Sequence, residues 1–414
     1  MNEAKQKIRL TSLERAWILY DVGNSAFVLL VATLIPIFFN ALAEGGGLSS
    51  VEYLAYWGYA ASAVTVITAV LSPILGTLAD TRNFKKPIFT FCVAVGVIGC
   101  CAMGMASTWL PFLLIFIFAK VGFSGSLVFY DSMLSDVTVP DRMDEVSSKG
   151  YAWGYIGSCV PFVVCLALVL GAGSIGISQM TALNLALFIT AAWWLVTTLP
   201  LLRQYKQVHF VEVQEHAIRQ SFARIGHTLR HLKEDRQVFW FLLAFFCYID
   251  GVYTIIDMAT AYGTALGLDT TGLLLALLVT QIVAFPSALV FGRLSGQYPS
   301  GTLIPVCIAA YAGIALFAFF LKHQWQFWVL AVVVGMFQGG IQALSRSHFA
   351  KIIPPEKSGE YFGLFDICGK GASFLGTMIV SVGSQLTGSA NVGVGSLIVL
   401  FIVGFVLFRV SDQK

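Results

Sequence analysis

Tyr20-Asp21-Val22-Gly23-Asn24-Ser25-Ala26-Phe27 places a carboxylate, a carboxamide and a hydroxyl inside a long apolar run, residues 16–42. Away from water, such groups cost several kcal/mol unless they are partnered or face a wet cavity. Whether the surroundings are protein core or lipid is decided by the rest of the chain. Its 414 residues are 57% hydrophobic and 11% charged, with a mean hydropathy of +0.80; soluble domains carry about 25% charged residues. So much apolar surface cannot all be hidden in one soluble protein, so the expected solvent is a bilayer.

A spanning helix needs about 20 apolar residues, and about twelve such runs follow one another: 16–42, 53–79, 87–106, 110–137, 151–170 and 180–202, then 238–262, 271–297, 302–321, 326–352, 361–385 and 392–411. A polar stretch, 203–236, separates the two sets of six. The expected fold is therefore an all-α membrane protein of twelve transmembrane helices, divided into residues 1–202, a linker at 203–236 and residues 237–414. The polar first fifteen residues and the long run behind them do not fit a cleaved signal, so the N-terminus is expected to be retained. All eight cysteines sit in apolar runs without metal-ligand spacing, which points to no disulfide framework, no metal and no cofactor.

Lys and Arg set the orientation. Lys322 alone falls in a loop of one side, and Lys120, Arg293, Arg346 and Lys370 fall within apolar runs; all others lie on the opposite side. That basic side, with both termini and the linker, is expected to be cytoplasmic, in the inner membrane of a cell. In the linker, Ile218, Phe222, Ile225, Leu229 and Leu232 form a helical stripe with Arg219, Arg224, Arg230 and Lys233 off it. The pattern predicts an amphipathic helix on the membrane face, tethering the two halves.

Internal echoes suggest duplication. The second run ends Gly76-Thr-Leu-Ala-Asp80-Thr-Arg82-Asn-Phe-Lys85-Lys86, and the eighth ends Gly292-Arg-Leu-Ser-Gly296. Pro140 precedes Gly150-Tyr151-Ala-Trp153-Gly154, as Pro354 precedes Glu360-Tyr361-Phe-Gly363.

On these residues the chain resembles the major facilitator superfamily, whose loop between helices 2 and 3 is similar to Gly76-x-Leu-Ala-Asp80-x-Arg82-x-x-Lys85-Lys86. Asn83-Phe84 stands where that motif has glycine, and Gly296 replaces the acid in the second half. Leu19-Tyr20-Asp21-x-Gly23-Asn24-Ser25-Ala26-Phe27 and Gln342-Ala-Leu-Ser345-Arg346-Ser347-x-Phe349-Ala350 further resemble the "unknown major facilitator" branch, similar to autophagy-related vacuolar amino-acid effluxers. The resemblance implies two pseudo-symmetric six-helix bundles around a cavity lined by helices 1, 4, 7 and 10.

Intramembrane charges fall on helices 1 (Asp21), 4 (Lys120, Asp131), 7 (Asp250, Asp257), 10 (Arg346) and 11 (Asp366, Lys370), where a hydrated path needs them. At about 1.5 Å per residue they separate into two layers. A central layer, Lys120, Asp250 and Lys370, is the expected substrate or proton site, with Asp21 and Asn24 contributing. An inner layer, Asp21, Asp131, Arg346 and Asp366, is the expected gate. Tyr20, Tyr130, Trp153, Tyr248 and Tyr361 are expected to line the cavity, Tyr361 with the gate. Gly76, Asp80, Arg82 and Lys86 are expected to control conformation, with Asp80 near the start of helix 11, where the helix dipole favours an anion. Asp257 and Arg293 lie near helix ends and can snorkel.

Gly122-Phe123-Ser124-Gly125 matches the serine motif of rhomboid proteases, but His348, the histidine within a run, sits nearer the inner face than Ser124, so no enzyme is expected. The expected function is a secondary transporter using alternating access. It would carry a small polar organic solute, zwitterionic or anionic and amino-acid-like, with protons as a coupling ion. Its expected partners are membrane lipid and that solute, with no nucleic acid, and the chain is expected to be a monomer. An exporter of amphipathic lipids or drugs, and a non-transporting receptor or scaffold, are the alternatives.

Overall fold

The computed structural model describes residues 9–212, 230, 232 and 234–412. Apart from an isolated bridge between Thr81 and Val211, every regular element among them is helical. The long helices are α1 Ser12–Ala32, α2 Ser50–Ala79, α3 Lys85–Met103, α4 Trp109–Ser132, α5 Met143–Leu170, α6 Gln179–Gln204, α7 Arg236–Ala265, α8 Thr270–Leu294, α9 Ser300–Phe319, α10 Gln324–Ile352, α11 Ser358–Thr387 and α12 Ile398–Asp412. Eleven stretches of the described chain are long and apolar enough to cross a membrane. The helix outside that set is α11, whose 30 residues include Glu360, Asp366 and Lys370.

Local chemistry sets the ends. Thr11 caps α1 and Ser49 caps α2, each in a capping box with a glutamate three residues on, Glu14 and Glu52. Three runs are less continuous than their apolarity suggests. The first breaks at Thr33, whose hydroxyl donates to the Leu29 carbonyl (2.5 Å), and resumes as Leu34–Gly45. The fourth ends at Ser132, ahead of a short helix, Leu134–Val137. The last splits into Ala390–Gly395 and α12. In the fifth, the helix starts two turns before the apolar run, because its polar first turns are buried against protein rather than lipid. Of the predicted linker helix, Ile218, Phe222, Ile225 and Leu229 lie outside the described residues, while Leu232 lies in a turn.

The packing repeats six helices on. In the first set α1 packs on α5 and α6, α2 on α4, and α3 on α4 and α6. In the second, α7 packs on α11 and α12, α8 on α10, and α9 on α10 and α12. The two sets meet through α2 with α11 and α5 with α8, and through α4 with α11 and α5 with α10, each pairing again mirrored in the other. Even single bonds follow the repeat. Tyr20 of α1 bonds Ser126 of α4, and Tyr248 of α7 bonds Ser345 of α10, both at 2.7 Å.

Candidate functional site

Arg346 leaves its own set of helices. From α10 its guanidinium enters the N-terminal set, where Nε donates to Ser147 Oγ (2.9 Å), Nη2 to the Ser147 carbonyl (3.0 Å) and Nη1 to Asp131 Oδ1 (3.0 Å). Asp21 Oδ2 lies 3.6 Å from Nη1. Trp17, Tyr130 and Tyr151 close around the cation, their ring centroids 4.7, 5.3 and 4.3 Å from Cζ. The side chain is 2% exposed. Stripping a guanidinium of water costs several kcal/mol, which this geometry offsets with directed bonds to a planar fork and three aromatic faces. Gly150 permits the approach, since a Cβ there would stand 2.9 Å from Asp21 Oδ2 and 3.1 Å from Arg346 Nη2.

Further bonds between the two sets surround this plug. Asp144 of α5 accepts from Ser347 Oγ (2.6 Å) and pairs with Lys351 (2.5 Å) of α10, and Ser147 Oγ donates to the Ala343 carbonyl (2.8 Å). Tyr155 donates to Gln342 (2.8 Å), and Ser72 of α2 donates to Asp366 of α11 (2.7 Å). All lie toward the ends that carry the basic loops, so on that side the two sets are shut.

The 2–3 loop builds a second closure. Asp80 accepts from the Gly359 and Glu360 amides (2.7 and 2.9 Å) at the first turn of α11, where backbone donors and dipole favour an anion. Burial pushes its carboxyl up to about 7, against the pull of Lys85 and the two amides. Lys85, fully buried, donates to Ser358 (2.8 Å) and lies 3.9 Å from Asp80 and 3.7 Å from Asp136. Such proximity is possible because α2 and α11 cross at Gly76 and Gly359, where a Cβ on either would overlap the other's carbonyl. A Gly76→Val variant is therefore expected to keep the basic side from shutting, read as increased solvent labelling of a cysteine placed at Ser72. Asn83 takes a left-handed φ of 64°, a conformation that asparagine tolerates better than most residues, where the motif has glycine.

The remaining predicted residues are dispersed. Arg82 faces outward, pairing with Glu212 (3.4 Å) and covering Phe210, and Lys85 rather than Lys86 carries the buried contacts of the loop. Asp250 points at α11. It is fully buried between α7 and α11, accepting from the Gly376 amide (2.9 Å) and Thr254 (3.4 Å). Tyr20 and Tyr248 are likewise fully buried, fastening helices within their own sets rather than facing an opening, and Tyr130 packs under Arg346. Asn24 donates to the Tyr20 carbonyl (3.1 Å) and approaches Asp21 (3.5 Å). Tyr361 lies in the first turn of α11, within electrostatic reach of Asp235. Trp153 is 47% exposed and meets Phe285 of α8 edge-on. The side chain of Lys370 lies outside the described residues. Ser124 is buried, and His348 engages Ser300 Oγ (3.0 Å) on another helix.

Lys120 stands near a different carboxylate. Asp257 of α7 lies within electrostatic reach of it and is exposed, although it sits ~12 Å inside the end of its helix. Tyr253, one turn nearer the gate, feels Asp131, Asp366, Asp257 and Arg346 together. A sequence reading that assigned Asp257 to a helix end missed it, because α7 runs to Ala265, past the last strongly apolar residues.

A fold of two sets of six helices shut at one end has close relatives among solved structures. The human organic anion transporter MFSD10 (TETRAN) superposes with a TM-score of 0.72 at 13% identity, over 96% of this chain and 98% of that one. FucP, a major facilitator superfamily transporter in its outward conformation, gives 0.72 at 17% identity, over 97% and 98%. At that identity the likeness shows the fold alone.

The chain belongs to the Atg22-like vacuole effluxer family, whose model matches residues 12–141 and 135–414. It is 42% identical over 411 residues to the uncharacterized MFS-type transporter YxiO of Bacillus subtilis, covering 98% of this chain and 96% of that protein. Autophagy-related protein 22 of Saccharomyces cerevisiae is 25% identical over 315 residues, 66% of this chain and 59% of the yeast protein. The chain is thus a multi-pass membrane protein of the major facilitator transporter class.

Proposed function

We propose that the chain is a secondary transporter working by alternating access, with residues 1–202 and 237–414 as the moving halves and 203–236 between them. The twelve helices α1–α12 span the inner membrane of a cell with both termini on the cytoplasmic side. The structure described is the state shut toward the cytoplasm, and the opposite state follows when Arg346 leaves its seat among α1, α4 and α5. The solute is small and carries both charges, in the manner of an amino acid. The observation that supports this reading is that Lys120 and Asp257, one charge from each set of helices, lie within electrostatic reach of each other while Arg346 and Asp131 close the basic side. A solute carboxylate would meet Lys120 and its ammonium Asp257, so that binding replaces the pair's mutual attraction across the opening and draws the halves together.

Protons are the coupling ion in this reading. When Arg346 withdraws, Asp21 and Asp131 lose the cation beside them and become the candidate proton acceptors. The name "vacuole effluxer", carried by the family, and the solutes of the structural relatives are consistent with a small solute but do not set its direction of movement.

Flux into proteoliposomes of radiolabelled amino acids, with and without a pH gradient, tests the reading. Saturable uptake that the gradient accelerates is expected for a zwitterionic solute. Lys120→Gln and Asp257→Asn should each weaken apparent affinity about tenfold, the scale of one lost charge-assisted hydrogen bond. Absence of flux across the panel, or an unchanged apparent affinity in both variants, would overturn it.

A further inference from the structure

On the side of Asp250 away from the gate, the C-terminal helices enclose an apolar cavity whose empty space is ≈ 680 Å³ with its mouth included. Ile314, Phe327, Leu330, Val334 and Val380 form its buried wall. Ile256, Met258, Leu277 and Gln281 are half exposed, which puts the mouth between α7 and α8. Most polar groups in the wall are already engaged. Thr280 donates to the Ala276 and Ala331 carbonyls (3.0 and 3.1 Å), Tyr262 to the Ala318 carbonyl (2.6 Å), and Thr254 to Asp250 (3.4 Å). Gln338 differs. It is 5% exposed, lines the cavity, and its Oε1 accepts no hydrogen bond.

A buried acceptor without a donor is costly, and native structures rarely keep one without a use. A lone water is a poor remedy here, because an ordered buried water wants two to four polar partners and the inner wall offers one free acceptor. The geometry points to a ligand site for an uncharged, mainly apolar molecule bearing one hydrogen-bond donor, such as a phenol or a medium-chain alcohol. The apolar body fills the space among α7, α9 and α10, and its hydroxyl donates to Gln338 Oε1. Charged solutes are excluded, since no described cation or anion faces the inner wall. Neither Lys120 nor Asp257 is among the residues that line it, and its occupancy does not depend on what the protein carries.

The probe is 4-fluorophenol, followed by 19F NMR on the full chain in nanodiscs, with empty nanodiscs correcting for partition into lipid. Its methyl ether, 4-fluoroanisole, has nearly the same shape and no donor. Saturable binding is expected, with the phenol preferred about tenfold, the scale of one buried hydrogen bond. Gln338→Leu should abolish the preference by weakening the phenol alone. Val334→Phe, which fills the cavity from another helix position, should remove binding of both probes while the melting temperature stays within a few degrees. Absence of saturable binding, a preference unchanged in Gln338→Leu, or binding unchanged in Val334→Phe would each overturn the assignment.

Discussion

Replacing Arg346 with glutamine is expected to unlock the basic side of the protein and lower flux at least tenfold. The guanidinium is the buried partner of Asp131 and Asp21 at once, and it also holds both polar groups of Ser147. Removing one member of a buried charge group costs about 3–5 kcal/mol, mostly because the surviving charges stay desolvated and unpaired. About 3 kcal/mol corresponds to ~100-fold in the ratio of shut to open forms. Ser148 makes a suitable reporter, being fully buried beneath Gly292 of α8. In a Ser148→Cys background, Arg346→Gln should accelerate maleimide labelling from the basic side by about that factor. Adding Asp131→Asn removes a charge that the glutamine has orphaned, so the double variant should recover part of the protection. Lysine at 346 should fall between, because an ammonium keeps the charge but cannot bond Ser147 and Asp131 in one plane. Labelling that does not change in Arg346→Gln would show that the shut state rests on other contacts.

Asp80→Ala is expected to act almost as strongly and from a different place. It leaves the Gly359 and Glu360 amides without an acceptor and Lys85 with a weaker anionic environment. Each buried amide left without an acceptor costs about 1–3 kcal/mol, whichever protonation state the carboxyl held. The same cysteine at position 148 should label roughly 10–100-fold faster. A pH dependence follows. In the shut form the carboxyl titrates at about 7 because burial disfavours its charge, while an exposed aspartate titrates near 3.8. Shutting therefore takes up a proton between those values. Its contribution to the shut form is full below about pH 4, declines as pH rises through about 7, and is level above that. Asp80→Asn should remove this slope from the labelling rate between pH 5 and 8. A slope that persists would place the titrating group elsewhere.

Sequence reading reached the helices and part of the floor beneath the opening, for separable reasons. The long apolar runs are visible because lipid demands them. Asp21, Asp131 and Arg346 stand out as charges in those runs, and the structure brings the three together. Their neutral partners do not stand out. Ser147 belongs to a polar start of α5 that lies ahead of the apolar run, and Trp17 and Tyr151 are two aromatics among many. Asp250 looked central by depth alone, because rise along a helix gives height and not azimuth; its side chain points toward α11. Asp257 was lost to the opposite error, a misplaced helix end. Asp136, at the end of the fourth apolar run, was not singled out, yet it gathers Lys85, Tyr205 and the Val208 and His209 amides. No local pattern announces a carboxylate whose partners arrive from two other segments.

Where Gly76 meets Gly359, main chain rests on main chain with no side chain between. Two helices that touch in this way can roll and slide without freeing interlocked knobs, and no rotamer has to change. Such a crossing behaves as a bearing. The resistance to parting comes from the charges around it, so those charges can set how readily the protein changes state while the axis of movement stays put.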